Sequence, residues 1–180
     1  MQQFKIDKKQ KKVAVAQLLT RLLNLVESEE NNENGLENGR SGKILLYLYV
    51  GHFLEIEEYT QKGIRLIETV FEDIITREGG LVHTGLCSGL IGILSVLANL
   101  KNKDILDVDF DDFQELEKPM FAWSLQQIKL GNLDFISGGL GIFSYLIQRL
   151  AISEKYPGDD EIVRDYARQL VAHFQQRLSN

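Results

Sequence analysis

The segment GLIGILSVL, residues 89–97, is apolar nearly all round a helix and is led in by glycine, and the same pattern flanks it as RSGKILLYL at 40–48 and GLGIFSYLI at 139–147. Ile44, Ile93 and Ile142 fall 49 residues apart. Leu45, Leu94 and Phe143 keep that register, as do Leu48, Leu97 and Leu146. Two equal intervals carrying one local pattern mark an internal repeat of stacked supersecondary units.

Between these runs, residues 57–76, about 110–129 and 159–178 read as amphipathic helices. In the last of them Ile162, Tyr166, Leu170 and Phe174 recur every four residues among charges, the pattern of a helix that covers a core from one side. A helix apolar nearly all round must be buried on both faces, whereas an amphipathic one keeps a face in water. The spacing therefore predicts an all-α fold in two concentric layers, an α/α toroid of helical hairpins. The inner layer holds 41–54, 88–100 and 138–151. Its small-residue starts, Gly42, Gly89, Gly92, Gly138 and Gly141, are where neighbouring helices converge and a side chain would obstruct them.

Upstream, residues 13–27 place Val15, Leu18, Leu19, Leu22, Leu23 and Val26 at helical spacing, and the polar stretch SEENNENG ends that helix. The chain thus divides into a flexible basic arm at 1–12, with Lys5, Lys8, Lys9, Lys11 and Lys12, a first helix and loop at 13–34, and hairpin repeats at 35–180, all one domain. Only Pro119 and Pro157 break the helix-forming composition.

The net charge of −6 suggests no general attraction to nucleic acid or anionic lipid. No apolar run reaches the roughly 18 residues of a membrane span, and no signal-peptide core follows the lysines, so a cytoplasmic location is expected. The one cysteine, Cys87, excludes an internal disulfide, and only His52, His83 and His173 join it as soft or borderline metal ligands.

The glycine-rich stretches GLCSGLIG at 85–92 and SGGLG at 137–141 resemble anion-binding loops superficially. No Gly-Lys-Ser/Thr follows, no strand precedes, and the pattern recurs at the repeat period, so helix packing is the better reading. His83 and Cys87 would share a face if helical and could hold a metal as a pair. Gly85 between them favours a free thiol beside a loop histidine. His52 and His173 read as structural. Met120, Phe121 and Trp123 either anchor an outer helix in the core or line a peptide groove. Asp107, Asp109, Asp111 and Asp112 read as a solvated helix start rather than as the paired carboxylates of a glycan-processing enzyme.

The segment NLDFISGGLGIFSYLIQRL, residues 132–150, resembles the Asp-x-Ile-Ser-Gly-x-x-Gly-Ile helix start of the lanthionine synthetase C-like proteins, the cyclases of lantibiotic biosynthesis. GLCSGLIGILSVLANL at 85–100 and GLENGRSGKILLYLYVGHF at 35–53 are similar to the preceding copies in that family, so the resemblance covers about 35–151. It implies a closed α/α toroid of which this chain supplies the N-terminal half. It also implies addition of a precursor-peptide cysteine thiol to a dehydroalanine or dehydrobutyrine, with zinc lowering the thiol pKa and an acid protonating the enolate.

Asp134 matches the family aspartate near the zinc and is the candidate acid or base. The competing role is that of a carboxylate capping a helix start. The family ligands are two cysteines and a histidine, one pair in a Cys-His-Gly motif, and this chain has neither that motif nor a second cysteine. Zinc is therefore expected only if a C-terminal half is supplied, and the chain alone is expected to be inactive. The implied partners are a precursor peptide, a complementary half, or a second copy. The alternative class is a non-catalytic helical-repeat module that binds a peptide or protein in its concave face and self-associates.

Overall fold

Ten of the thirteen residues of the helix Leu90–Asn102 are buried, Leu90 through Ala98 and Leu100. Such a helix can lie only between neighbours. The computed structural model describes residues 8–28, 34–37, 39–76, 84–87, 89–156 and 161–178, and every regular element among them is helical.

Seven α-helices follow in order: α1 (Lys8–Glu27), α2 (Arg40–Leu54), α3 (Glu57–Thr76), α4 (Leu90–Asn102), α5 (Gln114–Lys129), α6 (Ile142–Lys155) and α7 (Glu161–Leu178). The buried α4 packs against α2 on one side and α6 on the other, so α2, α4 and α6 form the inner row. The amphipathic α3 folds back on α2, and α7 touches both α5 and α6 from outside. On α7 the buried residues are Val163, Tyr166 and Leu170, with Ile162 and Phe174 partly covered, as the four-residue spacing predicts. The architecture is an arc of α/α hairpins.

Each inner helix begins from a glycine in extended conformation, Gly39, Gly89 and Gly138, with no side-chain cap. These starts are 50 and 49 residues apart, so the predicted interval of 49 holds for the second step and is one residue short for the first. The match of Ile44 to Ile93 misled because Ile93 and Leu94 are both buried. A helix sheltered all round gives no periodicity from which to fix register.

The predicted bounds shift elsewhere. Gly139–Gly141 form one 3-10 turn, which delays α6 to Ile142. Helix α1 starts at Lys8, so residues 8–12 of the predicted arm are helical, because lysine and glutamine favour helix as readily as the apolar residues that marked the rest. Residues 1–7 lie outside the described residues. Pro119 sits inside α5, and the helix runs through it.

The apolar stripe of α1 is buried only in part. Leu23 is fully covered, packed with Tyr47 and Val50 of α2, and Leu19 is partly covered against the same cluster, which Tyr59 and Leu66 of α3 also join, while Val15, Leu18 and Leu22 are exposed. The hairpin of α2 and α3 is closely packed. A Cβ on Gly63 would collide with Leu48, and one on Gly51 with Thr60. The reversal between them passes through Glu55 in the left-handed region, φ 59°.

Two polar networks tie the outer helices to the inner row. Buried Glu117 of α5 accepts hydrogen bonds at Oε1 from the Tyr145 hydroxyl and, at 3.0 Å, from Arg149 Nε, both on α6. The Arg149 guanidinium lies 4.3 Å from the Phe110 ring centroid. The Tyr166 hydroxyl donates to Ser124 Oγ at 2.8 Å, and Ser124 donates to the Gly139 carbonyl at 2.6 Å. Burial pushes the Tyr166 phenol up to about 12.

Candidate functional site

The three inner helices are led in by turns of one design. In each, the carbonyl of a residue six positions earlier folds over a glycine of the first helical turn: Leu36 over Gly42, Leu86 over Gly92, Phe135 over Gly141. A Cβ on any of these glycines would lie closer to that oxygen than the 3.0 Å that real Cβ atoms keep. Gly138 is equally confined, against Asn132 and Asp134. Gly89 serves instead as the extended residue before α4. Steric necessity thus explains why the glycines recur.

The turns are laced to one another. The Leu36 N–H donates to the Cys87 carbonyl at 2.7 Å, and the Leu86 and Cys87 N–H groups donate to the Ile136 carbonyl at 3.1 and 3.4 Å. Each turn therefore hands a backbone hydrogen bond to the next. The series stops at the third turn: Phe135, equivalent to Leu36 and Leu86, has no backbone acceptor among the described residues and is 50% exposed.

That third turn is closed by Asp134. Its Oδ1 accepts from the Ser137 amide at 2.6 Å, the Ile136 amide at 2.9 Å and the Ser137 hydroxyl at 2.9 Å. The Ser137 amide, then its hydroxyl, hold the Asp134 carboxyl below the usual carboxylate range. A carboxylate so engaged remains ionised at neutral pH and is a poor proton donor there.

The lacing also gathers side chains from all three turns. Burial, then the Glu37 carboxylate of the first turn and Asp134 of the third, push the Cys87 thiol up. The thiol remains protonated, the opposite of the electropositive setting that makes a reactive or metal-binding thiolate. Glu37 was not anticipated. A lone loop glutamate 50 residues from its partner leaves no local signal.

The zinc site implied by the resemblance does not fit the donors present. The chain has one cysteine, held protonated beside carboxylates, and among the described residues no three His, Cys, Asp or Glu side chains are grouped to hold a metal. The predicted pairing of His83 with Cys87 cannot be described, because His83 lies outside the described residues. His52 is exposed at the last turn of α2, far from the lead-in turns, and His173 is half-buried with its ring edge on Phe174.

Phe121 stacks on Tyr166 at 4.4 Å and Met120 is buried, which makes them anchors of α5, with Trp123 packed partly against the same core. Asp109 caps the Asp111 amide at 3.0 Å and Asp107 pairs with Lys101, so the acidic run starts a helix. No described helix is long and apolar enough to cross a membrane.

A family model described as lanthionine synthetase C-like protein matches residues 9–179 of the chain. Searches of curated proteins and of solved structures returned no match.

Proposed function

The chain belongs to the lanthionine synthetase C-like family, and from that premise we propose that it forms one side of a peptide-cyclising α/α barrel, with its three lead-in turns at the mouth. The reaction proposed for the completed barrel is addition of a precursor-peptide cysteine thiol to a dehydroalanine or dehydrobutyrine, forming a thioether bond and leaving an enolate that takes up a proton. The observation that carries this reading is the unfinished lacing of the turns. A series that passes a backbone hydrogen bond from first to second to third ends at Phe135 N–H, which has no backbone acceptor among the described residues. Ile147 and Leu150 are exposed on the adjoining α6.

On this reading a further glycine-led hairpin packs on α6 as α6 packs on α4. The zinc donors belong to hairpins of that kind, since Cys87 cannot supply them. Asp134 is a positioning residue: ionised and triply hydrogen-bonded, it fixes the third turn rather than delivering a proton.

The test combines the chain with a polypeptide that carries the family's Cys-His-Gly hairpins, and assays a dehydrated precursor peptide by mass spectrometry after alkylating residual thiols. Ring formation and stoichiometric zinc are expected in the mixture, with neither in the chain alone. Ile147→Asp with Leu150→Asp should abolish both. Cyclisation by the chain alone would overturn the reading. A stable dimer of the chain that binds peptide without zinc would favour the non-catalytic module instead.

A further inference from the structure

Helix α1 differs from the rest of the chain in charge. It holds Lys8, Lys9, Lys11, Lys12 and Arg21 against the single acidic Glu27, in a chain whose net charge is −6. The acidic balance that argues against a general attraction to anionic surfaces therefore does not describe this helix.

The same helix presents apolar surface to solvent. Val15, Leu18, Leu22 and Leu25, spaced three and four apart, form a strip beside Leu19 and Leu23, which pack on α2; Leu18 and Leu25 are 58% and 64% exposed. Phe53 at the end of α2, also exposed, extends that surface, with Lys12 Nζ 5.9 Å from its ring centroid. A helix held along one side by α2 and α3, with an outward apolar strip and lysines gathered at one end, has the composition of a helix that lies in a membrane interface. Phe135 and Ile136, also exposed, adjoin Asp134 instead of lysines, and so lack this complementarity.

We propose that α1 docks the protein on an anionic lipid surface, lying flat with Val15, Leu18, Leu22 and Leu25 at the acyl boundary and the KKQKK segment among the headgroups. Apolar burial and attraction to acidic headgroups act together, as stable peripheral binding requires. Docking here is independent of whether the barrel reading holds.

The test is co-sedimentation of the intact chain with vesicles of phosphatidylcholine containing phosphatidylglycerol, and with phosphatidylcholine alone. Pelleting is expected only with the anionic vesicles and should weaken as salt is raised. Leu18→Asp with Leu22→Asp, at exposed positions, should leave the chain in the supernatant with unchanged far-UV circular dichroism. Lysine-to-glutamine changes at 8, 9, 11 and 12 should each lower partitioning by roughly fivefold. A chain that stays in the supernatant with anionic vesicles overturns the proposal, as does a Leu18→Asp/Leu22→Asp variant that pellets like the parent. Sedimentation velocity showing an oligomer that this variant dissociates would assign the strip to a protein partner and overturn it as well.

Discussion

In α4 ten residues are buried and the turn before it is hydrogen-bonded on both sides, accepting from Leu36 and donating to Ile136; in α6 six are buried, Ile147 is 64% exposed, and among the described residues the preceding turn is laced to a neighbouring turn on one side only. Both helices start from the same glycine-led design. Their difference shows that the repeat sets how apolar an inner helix is, while the number of neighbours sets how much of it is buried. On the proposed reading, the exposed apolar residues on α6 are the seat of a neighbour and not a defect of the helix.

The two helices also differ inside. Where α4 carries Val96 and Leu100, α6 carries Tyr145 and Arg149, which converge on Glu117. Glu117→Ala should be the most damaging single change, about 3–5 kcal/mol by denaturant unfolding, because it removes the acceptor of two buried donors. An unchanged midpoint would mean that the network contributes nothing to holding α5 on α6.

Truncation sharpens the contrast directly. Leu97→Ala in α4 should cost about 2–5 kcal/mol, and Ile147→Ala in α6 within about 0.5 kcal/mol. Equal losses would show that α6 is as sheltered as α4. Gly92→Ala forces a Cβ against the Leu86 carbonyl and should cost about 1–3 kcal/mol in thermal unfolding.

The smallest effect is electrostatic. The depressed Asp134 carboxyl contributes stability that is fully present above the ordinary carboxylate pKa of about 3.9 and is lost as pH falls through its lowered folded value. The Ile136 and Ser137 amide resonances should therefore move only in strong acid, and in Asp134→Asn they should not titrate. Movement near neutral pH would restore Asp134 as a proton donor.

The helical class and the inner and outer layers were legible in the sequence because the same pattern recurs in each copy. The glycines at 42, 92, 138 and 141 were legible as positions, but what crowds them first is the backbone or side chain of their own lead-in turn and not the convergence of neighbouring helices. What the copies do not share was not legible. Glu117, Tyr145 and Arg149 replace apolar residues in one copy alone, and their contacts span 28 and 32 residues. Gly51 and Gly63 lie outside the repeated helix starts. The stripe of α1 showed that the helix had an apolar side but not how many neighbours would cover it. For Asp134, the sequence located the residue, while the three donors that fix its ionisation emerged only with the fold of the turn.

Amide hydrogen exchange on the intact chain, read at Leu36, Leu86 and Phe135, probes the open-ended lacing most directly. Leu36 and Leu86 should exchange slowly and Phe135 at the rate of an exposed turn. Protection of Phe135 equal to that of Leu86 would mean the series is already closed, and the edge on α6 would no longer be a place for another hairpin.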